Sequence, residues 1–263
     1  MFEILAINAA ILVASILVLW LVSIRIHDVS FIDSFWAFGM VMLAVTTFVQ
    51  AEDGSPQRKV LILALTSIWG LRLSFHLFTR WRAEGEDPRY TRILGTAMEK
   101  KGWSFARSSL VMVFLMQAPL LFIVCLPAQL GQLSADPAQT GWLAFAGKCL
   151  ALIGIGFETI GDWQLRRFRA DPASKGKVLD NGLWRYTRHP NYFGDTCVWW
   201  GIWLIAAETS VGLWAVPGPI LLAWLLTRLS GVPMLEAGLK KKRPGYEDYI
   251  RRTSSFIPWP PKA

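Results

Sequence analysis

The sequence predicts an all-α integral membrane bundle of seven transmembrane helices. It forms a single membrane domain over residues 1–263, with the N-terminus outside and the C-terminus in the cytoplasm. Three observations predict this. Hydrophobic residues make up 53% of the chain and charged residues only 17%, with 14 tryptophans, a composition foreign to soluble proteins of this length. Seven apolar runs lie at roughly 5–24, 29–50, 60–79, 108–130, 141–162, 193–209 and 211–229. Each approaches the ~20 residues that cross a bilayer as a helix, and the sixth is the shortest. Finally, nearly all of the 27 lysines and arginines fall after the first, third and fifth runs or in the tail. Only Arg58 and Lys59 lie on the other side, with Arg72 and Lys148 inside runs. The positive-inside rule assigns the basic side to the cytoplasm.

The first run begins with Glu3 rather than a basic head, and no small-residue cleavage site precedes Arg25 and His27. It reads as a retained helix, not a cleaved signal. The loop over 80–107 carries "RAEGEDPRYTRI" and is expected on the membrane face with a short helix near 94–101. The loop over 170–192 contains Pro172, Gly176 and the "DNG" turn signal, which argue against a long helix and suggest a lid over a cavity. The tail "EAGLKKKRPGYEDYIRRTSSFIPWPPK" starts helix-like and ends in prolines.

The formal net charge of +8 is mostly this asymmetry between membrane faces, so attraction to membrane lipid accounts for much of it and no nucleic-acid partner is expected. No obligate protein partner is inferred. Cys125, Cys149 and Cys197 sit in or beside apolar runs without metal spacing and read as small buried hydrophobes. With three histidines far apart, no metal centre is expected. "GIGFETIG" at 154–161 has Thr159 where a dinucleotide fingerprint needs its third glycine, so these glycines are read as allowing close helix packing. No P-loop and no G-x-S-x-G nucleophile motif is present.

Ionisable residues inside a membrane are costly and default to functional hypotheses. Asp33 lies near the cytoplasmic start of the second run. Arg72, His76 and Arg80 follow at i, i+4, i+8 on the third. Glu158, Asp162, Arg166 and Arg169 form a stripe on the fifth. Asn191 and Asp195 are i, i+4 at the start of the sixth, and Arg228 and Glu236 flank the exit of the seventh. Any one stripe is explained by snorkelling or by pairing along a helix. Five helices placing such stripes at one depth predict a polar cavity opening to the cytoplasm. Guanidiniums suit phosphates, while carboxylates and Asn suit ribose hydroxyls or an amide. A phosphorylated nucleotide cofactor fits this pattern, and so does a lipid head group. Arg185 and Arg188 read as ordinary topology charges.

The stretch "GKVLDNGLWRYTRHPNYFGD" resembles the signature of a bacterial membrane family related to the steroid 5α-reductases. The wider superfamily includes isoprenylcysteine carboxyl methyltransferases and phospholipid methyltransferases. The resemblance runs from "GDWQLRRFR" at 161–169 to "GYEDYIRRTSSFIPWP" at 245–260, and more weakly through "IDSFWAFG" and "WGLRLSFHLFTR". It implies an NADPH site reached from the cytoplasm. Residues 108–263 would form the cofactor half, with a cytoplasmic loop 163–192 and tail 231–263, and residues 1–107 mainly the substrate side. The matching cofactor positions are Asp162, Arg166, Arg169, Tyr186, Asn191, Asp195 and Arg228; Lys177 and His189 are added by position. The reductases often carry Glu where Asp195 stands. The implied reaction is reduction of the carbon–carbon double bond of a lipophilic enone, such as a 3-oxo-Δ4-steroid, in the bacterial inner membrane. Hydride reaches the β-carbon while a donor stabilises charge on the carbonyl oxygen. Family enzymes use a Glu in the second helix and a Tyr in the third. Here Asp33 is the nearest candidate donor, the Tyr position falls close to Trp69, and Arg72 and His76 would supply a positive partner. "RHP" is shared with the methyltransferases, so an S-adenosylmethionine-dependent methyltransferase of a lipid or prenylated substrate is the alternative. In that reading "RHPNY" and Glu236 would hold the adenosylmethionine.

Overall fold

A computed structural model describes residues 1–229 and 231–262. The described residues are helical and contain no strand; one isolated bridge joins Thr187 to Ser254. The main helices are α1 (Phe2–Ile26), α2 (Ile32–Gln50), α3 (Pro56–Glu84), α4 (Pro88–Lys101), α5 (Phe105–Val124), α6 (Leu126–Leu130), α7 (Trp142–Ala170), α8 (Pro190–Ala206), α9 (Pro217–Trp224), α10 (Val232–Lys242) and α11 (Tyr246–Arg252). Among the described residues, six stretches are long and apolar enough to cross a membrane: α1, α2, α3, α5, α7 and the stretch Ser210–Lys242 that contains α9. The chain is an integral membrane protein by that measure. The sixth apolar run of the sequence is α8, which is 17 residues long and opens on the polar "PNYFGD".

Local chemistry accounts for the boundaries. Helix α4 starts six residues earlier than its apolar pattern suggests, because the Asp87 side chain caps the Arg89 amide and Pro88 occupies the first turn. Helix α5 contains a π-turn over Leu110–Phe114 and carries Pro119, which has no amide to donate. Residues 171–189 form only short helical turns, as the turn signals predict.

Helices α7 and α8 run antiparallel and meet along glycines. A Cβ on Gly154 would fall against the Gly194 carbonyl, and one on Gly194 against the Gly154 carbonyl; Gly147 and Gly201 oppose each other in the same way. The close-packing reading of "GIGFETIG" therefore holds for Gly154 and Gly161, whereas Gly156 faces no neighbour within 4 Å. Cys125 and Cys197 are buried as expected, and Cys149 is half-buried. This seam brings the C-terminal end of α7 beside the start of α8, and Arg169 of α7 reaches Glu84 at the end of α3. The polar ends of α3, α7 and α8 thus share one membrane face.

The loop after α7 is not a free lid. Residues 253–262 return along it. The Arg188 amide donates to the Ser254 carbonyl (2.9 Å), the Thr187 hydroxyl to that of Phe256 (2.8 Å), and the Trp259 amide to that of Tyr186 (3.0 Å). Arg188 is no topology charge either. It is 7% exposed, and its guanidinium binds Glu236 and the carbonyls of Ile250 and Thr253.

Candidate functional site

Three polar clusters lie where these helix ends converge. The first joins α3, α7 and α8. Trp69, Arg72 and His76 recur at helical spacing on α3 and face Glu158 and Asp162, one turn apart on α7. The Trp69 indole donates to Glu158 Oε2 (2.8 Å). Arg72 Nη2 lies 2.8 Å from Glu158 Oε1, and Arg72 Nη1 donates to Asp162 Oδ2 (3.0 Å). His76 Nε2 stands 3.9 Å from the same oxygen. Asn191 Nδ2 donates to Asp162 Oδ1 (3.3 Å), and its own Oδ1 accepts from the Tyr192 amide (3.1 Å). Asp195 is within electrostatic reach of Arg72 and Asp162. Its Oδ1 is buried without a hydrogen-bond partner among the described residues, as is Trp199 Nε1, whose ring packs edge-on against Trp69. One guanidinium therefore faces three carboxylates, two of which, Glu158 and Asp162, are less than a tenth exposed. Such a set accepts hydrogen bonds from hydroxyls and amides and favours positive charge.

A cleft of about 320 Å³ opens beside this cluster and is lined by Arg72, His76, Asp162 and Arg166 with apolar Phe75 and Trp163. Arg166, Arg169, Lys177 and Arg228 are all exposed. Tyr186 is exposed as well; its backbone amide donates to the Leu183 carbonyl and its own carbonyl accepts from the Trp259 amide. The predicted cofactor residues thus divide into an interior set, Asp162, Asn191 and Asp195, and an exposed set of four cations and a tyrosine.

The second cluster contains Asp33 but neither Arg72 nor His76, so the three residues expected to share the chemistry are separated. Asp33 accepts from Arg89 Nη2 (2.8 Å) and from the Tyr90 hydroxyl (2.5 Å). It is therefore placed as an acceptor and not as the proton donor expected of it. Arg89 also grips Asp87 (2.8 Å). Gln117 Nε2 lies 3.5 Å from the Tyr90 oxygen, while the Trp36 indole donates to Gln117 Oε1. Burial pushes the Asp87 carboxyl up, but the hydrogen bonds and charge of Arg89 outweigh it and hold the group below its ordinary range. Burial, then the negative charge of Asp33, raises the Tyr90 phenol well above its ordinary value, so it keeps its proton at neutral pH. Sequence reasoning missed Arg89 and Tyr90. Their signal was "EDPRY", a helix start that delivers both side chains into the bundle.

Tyr192 is the other residue missed. It lies within electrostatic reach of Arg89, Arg80, Asp33 and Asp195, and so stands between the first two clusters. Its ring stacks on His189 at 5.4 Å with an interplanar angle of 6°.

The third cluster corrects two predicted cofactor ligands. Glu236 Oε1 is 2.8 Å from Arg188 Nε and 3.1 Å from His189 Nε2. All three are buried and committed to one another, and no hydrogen bond joins them to Asp162, Asn191 or Asp195 among the described residues. His189 and Glu236 fasten the tail to the start of α8.

An uncharacterized protein of Schizosaccharomyces pombe is 25% identical over 277 residues, covering 92% of this chain and 76% of that protein. No solved structure matches the chain. Residues 19–253 match the DUF1295 family, described as protein of unknown function. Spanning most of the chain and both polar clusters that carry Asp33 and Asp162, this match shows that the chain belongs to the DUF1295 family, which includes steroid 5α-reductase-like membrane proteins.

Proposed function

We propose that this protein is an NADPH-dependent membrane reductase acting on the carbon–carbon double bond of a lipophilic enone, such as a 3-oxo-Δ4-steroid. In this reading α8 completes a bundle of seven spans, the basic face is cytoplasmic, and the membrane is the bacterial inner membrane. The carrying observation is the convergence of Asp162, Asn191 and Asp195 around Arg72, beside a cleft that Arg166 lines, with Arg169, Lys177 and Arg228 exposed. The donor set fits the cofactor. The unpartnered Asp195 Oδ1 and the Asn191 amide suit ribose hydroxyls and a carboxamide, and the exposed cations suit a pyrophosphate and a 2′-phosphate. NADPH, when bound, supplies a hydride.

The protein's own residues would do the rest. Arg72 and His76 belong to the cofactor side, where they hold Asp162 in place. Tyr90 carries the proton; its hydroxyl donates to Asp33, which Arg89 holds, with Gln117 beside it, and would turn from Asp33 to donate to the carbonyl oxygen as negative charge develops there. The apolar walls exclude water and strengthen that hydrogen bond.

One observation favours the second reading. Three carboxylates around a single guanidinium would complement the sulfonium of S-adenosylmethionine, as a lipid methyltransferase needs. Titrating the purified protein with NADPH and with S-adenosylmethionine separates the two. The reductase reading expects NADPH to bind, with Asn191→Ala and Asp195→Ala each weakening it about tenfold. Binding of adenosylmethionine alone would sink it. Tyr90→Phe is expected to lower turnover of a 3-oxo-Δ4-steroid by about 10²-fold while leaving NADPH affinity unchanged. Retained turnover would remove Tyr90 from the chemistry.

A further inference from the structure

Helix α4 leaves α3 and leads into α5, and both of those spans have their adjoining ends at the basic face. Connectivity therefore holds α4 at that face of the membrane. It buries Leu94 and Ala97 against the bundle and exposes Arg92, Lys100 and Lys101. Immediately beyond it, the Trp103 ring lies between two cations: Lys101 Nζ is 4.4 Å and the Arg107 guanidinium 4.6 Å from its centroid. The end of α1 joins the same region. His27 stacks on Phe105 at 5.2 Å, and the Trp20 indole donates to the Ala106 carbonyl (3.0 Å), which brings exposed Arg25 near. Glu99 is the acid on the last turn of α4, and among the described residues none of Arg92, Lys100, Lys101 and Arg107 forms an ion pair.

Cations clustered just outside a span, around a half-buried tryptophan, have the composition that headgroup depth selects. The aromatic ring settles at the interface, and the ammonium and guanidinium groups reach phosphate oxygens. The same helix carries Arg89 and Tyr90 at its other end, where they bind Asp33. Anything that holds the C-terminal half of α4 therefore also holds that pair.

We infer that the surface formed by Lys100, Lys101, Trp103 and Arg107 docks the headgroups of anionic phospholipids, and that this docking seats α4 so that Arg89 and Tyr90 meet Asp33. The inference concerns lipid binding and stands apart from the reaction proposed above.

The test uses the full chain in nanodiscs of phosphatidylcholine alone or mixed with phosphatidylglycerol, reading hydrogen exchange over residues 88–103. Wild type is expected to exchange more slowly in the anionic discs. Preference for the anionic lipid should fall about fivefold for each charge removed in the triple variant Lys100→Ala, Lys101→Ala, Arg107→Ala. Trp103→Leu, which keeps every charge, should weaken it too. Lys240→Ala, Lys241→Ala, Lys242→Ala, which removes as many charges on α10, should keep it. Equal exchange of wild type in both discs would overturn the inference. So would equal loss in the α10 variant, which would mean a general surface charge. Slowing by inorganic phosphate in phosphatidylcholine discs would point to a free anion instead, and protection that appears only with an added acidic protein would point to a protein partner; either would overturn it. Arg107→Gln alone supplies a milder variant should the triple variant not fold.

Discussion

Arg72→Ala is expected to destabilise the protein by about 3–5 kcal/mol, the cost of leaving a buried charge pair half-broken. The arginine lies 2.8 Å from Glu158 and 3.0 Å from Asp162, whose side chains are 4% and 9% exposed. Without it the two carboxylates, with Asp195 near them, would repel one another at low local dielectric. The loss would be a large part of the ~5–15 kcal/mol that holds a typical domain together. Thermal unfolding in detergent, followed by circular dichroism, measures it. Removing the charges together tests the cause: Arg72→Met with Glu158→Gln and Asp162→Asn should recover most of the stability, because no uncompensated charge remains. Arg169→Ala is the control. Its pair with Glu84 is 3.4 Å long and about half exposed on both sides, so at most about 1 kcal/mol is expected. If Arg72→Ala costs no more than Arg169→Ala, the cluster does not organise the three helices.

Gly154→Ala should be the next most damaging change. A methyl group there would press on the Gly194 carbonyl and the Val198 amide, backbone atoms that cannot rotate away. The helices must separate, at a cost of about 1–3 kcal/mol or more. The effect should reach the site as well. Asn191 and Asp195 ride on α8, so separating it from α7 pulls both away from Asp162 and Arg72, and any nucleotide affinity should fall with stability. Gly156→Ala, two residues on, meets nothing within 4 Å and should be neutral or up to about 1 kcal/mol stabilising, since alanine is the better helix former. Equal effects of the two substitutions would contradict the seam.

The interior half of the candidate site was legible before any coordinates. Asp162, Asn191 and Asp195 share a depth, and helical periodicity alone puts Asn191 and Asp195 on one face. Arg72 was legible as part of a stripe, though not as the partner of Glu158. Other residues misled because burial and partner are tertiary properties. His189 and Glu236 look like ligands in sequence and prove to be a fastening for the tail. Arg188 looks like a topology charge and is nearly buried. Asp33 looked like a donor until Arg89 and Tyr90 occupied its oxygens.

By itself the sequence determined the helical class, the membrane setting and which polar groups share a helix face, because apolar run length and a fixed rise and turn per residue are local quantities. Only the tertiary structure decided who meets whom. Asp33 pairs with Tyr90 across 57 positions, Arg72 with Asp162 across 90, and Arg188 with Glu236 across 48. Those pairings depend on how far each helix is rotated about its axis and how closely glycine lets it approach its neighbour, and long-range packing sets both.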